Sequence, residues 1–177
     1  TPQTAYGLLL AAINDPDPVV FLEPKRIYRS IKQEVDDNGQ ALPLDKAFVV
    51  RRGQDITLVS WGAMMEETIQ AAATLEQQGV SAEVIDLATI KPIDTDTLIS
   101  SFEKTGRGVI VHEAHKTGGV GAEIIAQMNE YAFDALKAPI QRVTGYDIVM
   151  PYFQMEQHYL PNVKRILQAV EQTLEYA

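Results

Sequence analysis

The sequence predicts an α/β fold: a mainly parallel, doubly wound sheet with helices on both faces, preceded by a helix and a strand from a second, incomplete α/β domain. Three observations carry this expectation. From Asp55 onward, short apolar runs alternate with segments of helical period, each pair separated by Gly, Pro or Asp. Strands joined through helices run parallel and are buried on both sides, which explains why the runs are continuously apolar. The 177 residues are 46% hydrophobic and 22% charged, a balance that folds rather than staying disordered. A core of that length removes roughly 70% of the unfolded chain's surface from water.

The elements follow in order. Tyr6, Leu9, Leu10 and Ile13 keep helical spacing, with Thr1 and Pro2 suited to N-cap and first-turn positions. The chain thus opens as though inside a domain. Asn14 to Pro18 is a turn cluster, and Val19 to Leu22 reads as a short buried strand. Residues 31–54 are polar and broken by Gly39, Pro43 and Gly53, and are expected to link two domains. The boundary is placed near Leu44, giving a remnant over 1–44 and a main domain over 45–177.

Ile56 to Trp61 is the first strand of that domain. Met65, Ile69, Ala72 and Leu75 then share a helix face that ends at Gly79, a left-handed cap. Ala82 to Leu87 is the second strand. Asp94 caps a helix carrying Leu98, Ile99 and Phe102 that stops at Gly106. Val109 to His112 is the third strand, Val120 to Ala135 a helix, and Ile140 to Thr144 the fourth strand. A long loop over 145–160 precedes a last helix facing inward through Val163, Ile166, Leu167, Val170 and Leu174.

Composition narrows the function classes. Fifteen Lys+Arg against 24 Asp+Glu give a net charge of −9, which argues against a general nucleic-acid binder and against an anionic membrane surface. No run approaches the ~20 apolar residues of a membrane span. Without cysteine there is no disulfide, thiolate zinc site or thiol nucleophile.

Ligands of open α/β sheets bind beyond the carboxyl ends of the strands. The richest such end is His112-Glu113-Ala114-His115, followed by Thr117-Gly118-Gly119-Val120-Gly121. A helix opened by glycines can hold an anion. Equally, the glycines can serve a tight strand-to-helix turn, since neither P-loop nor dinucleotide spacing is present. His112 and His115 could act as an acid–base pair or as metal ligands, but His158 is remote and no HExxH pattern exists. The loop over 145–160 concentrates Tyr146, Met150, Tyr152, Phe153, Met155 and Tyr159, residues that either fold onto their own core or form a subunit interface. The pairs His115-Lys116 and Lys164-Arg165 are expected on solvated faces.

Whole phrases add a resemblance. GLLLAAINDPDPVVFLEPKRIYRS resembles the end of the pyrimidine-binding domain in beta subunits of thiamine-diphosphate-dependent 2-oxo acid dehydrogenases. DITLVSWGAM, AEVIDLATIKPID, EKTGRGVIVHEAHKTGGVGAEI and RVTGYDIVMPY are similar to successive parts of the transketolase C-terminal domain of that subunit. EPKRIYRS, HEAHKTGGVGAEI and RVTGYD resemble the branched-chain (3-methyl-2-oxobutanoate) members more than the pyruvate members. The resemblance implies an enzyme that decarboxylates a 2-oxo acid on thiamine diphosphate with Mg²⁺ and passes the acyl group to lipoyl groups.

The family's activating glutamate and active-site histidine have no match here, so the resemblance assigns this chain no catalytic and no cofactor-binding residue, and the chain alone is expected to be inactive. It does place a structural monovalent cation, potassium, on backbone carbonyls at Ala12, Asp15 and Asp17. It implies an alpha subunit and a second beta subunit as partners in a heterotetramer, with Tyr146, Tyr152, Phe153 and Tyr159 as interface. It also implies docking to the peripheral subunit-binding domain of the acyltransferase core, in a bacterial cytoplasm, or in a mitochondrial matrix for a eukaryotic source. The alternative is a free-standing α/β domain that binds a small anionic ligand at the strand carboxyl ends.

Overall fold

A computed structural model describes residues 1–176. Five strands form one sheet: β1 (Phe48–Arg51), β2 (Ile56–Ser60), β3 (Ala82–Asp86), β4 (Gly108–His115) and β5 (Gln141–Gly145), in the order β1-β3-β2-β4-β5. β2 pairs in parallel with β3 and β4, β4 pairs in parallel with β5, and only β1 is antiparallel, Phe48 lying opposite Asp86. The helices are α1 (Pro2–Asn14), α2 (Met65–Gln77), α3 (Thr95–Thr105), α4 (Val120–Tyr131), α5 (Phe153–Tyr159) and α6 (Val163–Leu174).

Two cores result because successive strand residues point to opposite faces. Ile56, Leu58, Val84, Val109 and Val111 pack under α2 and α6 through Leu75, Ile166 and Val170. Val59, Ile85 and Ile110 pack under α3 and α4 through Leu98, Phe102, Ile124 and Met128. The doubly wound expectation is met, and the expected caps are in place. Asp94 accepts the Thr97 N–H at 3.2 Å, while Gly79 and Gly106 take φ of 82° and 70°.

Several details differ from the sequence expectation. Val19 to Leu22 is not a strand: Val20 and Leu22 are exposed, and no neighbouring strand satisfies the backbone there among the described residues. β1 lies inside the stretch read as a linker. Val49 and Val50 are exposed on it, so its strand state comes from pairing with β3 and not from burial. Ile69 points outward, and the buried face of α2 runs through Thr68, Ala71, Ala72 and Leu75. α4 ends at Tyr131, short of Ala135, which lies in a separate 3-10 turn (Phe133–Ala135). The long loop contains α5.

α1 buries only Gly7. It rests on the segment that returns over 33–42: Leu42 N–H donates to Gly7 O at 3.0 Å, and Tyr6 Oη donates to Asp37 Oδ1 at 2.5 Å. Leu9 and Ile13 of the expected apolar face remain exposed, Ile13 at 70%.

Candidate functional site

From β2 the chain steps to β3 on one side and later crosses to β4 on the other, with α2 and α4 on opposite faces. The loops leaving β2 and β4 therefore diverge, and the crevice between them is the switch point at which open α/β sheets receive ligands. Trp61 follows β2 and His112 lies near the end of β4. Their rings stack at 5.3 Å with an interplanar angle of 14°.

His112 is 1% exposed and neither ring nitrogen has a hydrogen-bond partner. Burial, reinforced by the positive charge of Arg142, pushes its pKa down to about 4, so the ring is neutral at pH 7. The glycines after β4 are there for close approach. A Cβ at Gly121 would lie 2.6 Å from His112 Nε2, and one at Gly119 would lie 2.7 Å from Cε1. Glycine thus lets the first turn of α4 settle onto the imidazole edge. His112 and His115 form no pair, because three residues along a strand puts them on opposite faces. His115 Nε2 instead donates to Ile148 O at 2.7 Å.

The loop between β4 and α4 is tied to its neighbours. Asp147 accepts from Thr117 N–H (3.0 Å) and Thr117 Oγ1 (2.6 Å), contacts that hold its carboxyl below the usual carboxylate range. Arg142 Nη1 donates to Lys116 O at 2.8 Å. Arg165 is not on a solvated face: it donates to Thr144 O at 2.6 Å and lies 4.7 Å from the centre of the Tyr146 ring.

The residues expected at an interface divide. Tyr159 is buried, edge-on to both Tyr146 and His115, and anchors α5 to the end of β5. Tyr146 is half-exposed, whereas Tyr152 and Phe153 are 96% and 88% exposed. Ile148, Val149, Met150 and Met155 extend the same apolar band. Ala12, Asp15 and Asp17 sit at the end of α1. Asp15 is the C-cap and its Oδ1 accepts the Asp17 N–H at 2.9 Å.

Trp61 and Arg142 were not named as site residues from sequence, and Arg165 was expected on a solvated face. The strand order, which brings the ends of β2, β4 and β5 together, is the signal that finds them. Two cavities of about 300 and 280 Å³ lie elsewhere. One is at the amino ends of the strands beside Asp55 and Arg107, the other beside Arg52, Glu83 and Lys104. In the second, Glu83 is an internal structural group. It is buried, yet held below the usual carboxylate range by Lys104, the Ser101 hydroxyl at 2.6 Å and the Gly53 N–H at 3.3 Å.

Residues 45–166 match the family model for the transketolase C-terminal domain. The chain is 47% identical over 176 residues to the pyruvate dehydrogenase E1 component subunit beta of Bacillus subtilis (strain 168), covering 99% of this chain and 54% of that one. It is 45% identical over 175 residues to the subunit of the same name from Staphylococcus aureus (strain N315), with the same coverage. Among solved structures, a split gene transketolase in an inactive beta4 tetramer superposes with a TM-score of 0.69 at 27% identity, covering 81% of this chain and 46% of that one. The chain spans about half the length of the curated relatives it matches. The sequence-based preference for the branched-chain type finds no support in these relatives, which carry the pyruvate name.

Proposed function

The chain belongs to the transketolase C-terminal domain family, and from that premise we infer that it serves as part of the beta subunit of a 2-oxo acid dehydrogenase, acting in assembly and docking rather than in bond-making. The relatives' names support the pyruvate type. The branched-chain type rests on the phrases EPKRIYRS, HEAHKTGGVGAEI and RVTGYD alone, and both types imply the same assembly. The observation that carries the proposal is the apolar band from Tyr146 to Met155, displayed outward although Tyr159 and Arg165 fix its base to the fold. Seven large apolar side chains held in water on a pinned loop gain nothing unless a partner covers them. The proposed occupant is a second beta subunit, with an alpha subunit completing the tetramer. The net charge of −9 suits a basic docking domain of an acyltransferase core, mainly through association rate.

In such an enzyme thiamine diphosphate supplies the carbanion-stabilising chemistry. The residues here do not fit a cradle for it. Among the described residues no cluster of three or more His, Asp or Glu is placed to hold a metal ion, and the buried carboxylates of Glu83 and Asp94 are engaged with Lys104, Ser101, Thr97 and Ala47. The cofactor and Mg²⁺ are therefore assigned to other parts of the assembly. The carbonyl of Ala12 in the last turn of α1, with those of Asp15 and Asp17 just beyond it, remains the proposed contribution to a potassium site.

Phe153→Ala tests the proposal. Phe153 is 88% exposed, so truncation leaves the fold intact while removing an anchor worth about 2 kcal/mol in association, a shift of roughly 30-fold in dimer Kd. Sedimentation velocity on both forms, with circular dichroism as the folding control, reads the outcome. A monomeric wild type, or a mutant dimer as tight as the wild type, overturns the interface assignment.

A further inference from the structure

We propose that the first turn of α4, with His112 beneath it and Arg142 beside it, is a binding site for a phosphoryl-type anion. Three independent features converge there. The first is the helix end itself. No side chain caps α4, and Ala122 N–H closes onto Gly119 O at 3.0 Å, which leaves the Val120 and Gly121 amides as first-turn donors. Gly118, at φ 73°, faces open space with no atom within 4 Å of a Cβ placed there. Val120 is half-buried and Gly121 buried, so the open side of the turn is the one at Gly118.

The second feature is His112. A buried polar side chain with two unpartnered nitrogens is costly, and such groups in native proteins point to a missing partner. Its Nε2 faces the turn: hypothetical Cβ atoms at Gly121 and Gly119 would stand 2.6 and 3.4 Å from it. Burial and the Arg142 charge keep the ring neutral, so it can offer an N–H while the other nitrogen accepts.

The third feature is charge. Arg142 spends Nη1 on the Lys116 carbonyl, at the mouth of the same loop, and makes no ion pair among the described residues. A guanidinium has five donors, and those left over suit an anion with several oxygens better than a single-oxygen ligand. Two nearby acids are already engaged. Asp147 is held by Thr117, and Glu123 Oε1 accepts from Gln127 at 3.0 Å. The location is also the switch point of the sheet, between the loops leaving β2 and β4.

Trp61 provides the readout. It is the sole tryptophan and stacks on His112, so its fluorescence reports changes around the imidazole when the turn above it is occupied. The 177-residue chain is titrated with inorganic phosphate, with phenyl phosphate and with acetate at constant ionic strength, while the ¹⁵N shifts of the His112 ring are followed by NMR. Saturable millimolar binding of phosphate that moves both signals, with acetate inert, supports the site. Tighter binding of phenyl phosphate assigns it to a phosphorylated organic ligand, and equal or weaker binding assigns it to free phosphate. Arg142→Gln should weaken binding about tenfold, the ~1.4 kcal/mol of one charge-assisted contact, whereas Lys164→Gln should not. Gly118→Asp places a carboxylate in the open space before the first turn of α4, at a backbone angle that Asp tolerates, and should abolish binding even if Arg142→Gln proves unstable. A linear, salt-like response, shifts confined to other residues, or equal affinity in Gly118→Asp overturns the proposal.

Discussion

His112 is neutral because burial, reinforced by the Arg142 charge, disfavours its protonated form, and that couples its charge to stability. Its folded pKa of about 4 lies below the unfolded value of 6.5. Between those values the unfolded chain takes up a proton that the native ring refuses. Stability is unaffected above pH 6.5 and is lost as pH falls toward 4, by roughly 3 kcal/mol in total and about 2 kcal/mol by pH 5. Urea midpoints at pH 7.5 and pH 5 should show this loss, and His112→Gln should flatten it. The carboxylates do not mimic the effect. Glu83 and Asp94, both lowered, lose their contribution only below their unfolded values of 4.5 and 3.8. Asp86, raised by burial, acts in the opposite sense and gains stability on acidification. An equal slope in wild type and His112→Gln across pH 5–6.5 would mean that the ring is solvated. The sequence marked His112 as a candidate because it ends an apolar run. Its neutrality was not legible, since Trp61, Gly119 and Gly121 reach it only through the fold.

At the scale of elements, what could be read locally was read correctly, and what depended on a neighbour was not. The cap at Asp94 and the stop at Gly106 are local chemistry within α3, visible as Asp before an amphipathic run and Gly after it. β1 is a strand because β3 offers it a ladder, and Val19 to Leu22 is not one because nothing beside it does. Ile69 was placed inward by spacing alone, yet the small residues Ala71 and Ala72 let α2 approach the sheet on the adjacent face. α5 was hidden in an aromatic-rich stretch that lacks a polar N-cap, Tyr152 preceding it in an extended conformation. The cap of α3 is the element most open to test. Asp94 accepts from Thr97 N–H at 3.2 Å, from Thr97 Oγ1 at 2.7 Å and from Ala47 N–H at 3.0 Å, so it also ties the start of the domain to α3. Asp94→Ala should cost about 1–2 kcal/mol and lower Tm by a few degrees, and Asp94→Asn should recover part of the loss. If Ala and Asn variants melt together with wild type, the cap carries no stability.

On the scale of the whole molecule, the two cores that clasp the sheet were foreseeable from alternation and composition, whereas which aromatics of the 145–160 stretch turn inward and which turn outward was not. An apolar side chain in a loop looks the same in sequence whether it folds inward, as Tyr159 does, or outward, as Phe153 does. The difference lies in whether β5 and α6 present a place for it. The outward apolar band and the exposed apolar residues Leu9 and Ile13 of α1 are the surfaces that the proposed assembly would cover. On that proposal, cofactor chemistry should be absent when the chain is alone. Isothermal titration of the isolated chain with thiamine diphosphate and Mg²⁺ should show no binding in the micromolar range, because the protein's task toward such a cofactor is to position it, a task the assembly proposal gives to other parts of the complex. Adding an alpha subunit and the amino-terminal half of a related beta subunit should restore both binding and decarboxylation, with pyruvate and 3-methyl-2-oxobutanoate compared as substrates. Micromolar binding by the chain alone would show that the cofactor has a seat within these residues and would end the assembly proposal. Faster turnover of 3-methyl-2-oxobutanoate than of pyruvate in the restored complex would return the substrate to the branched-chain type.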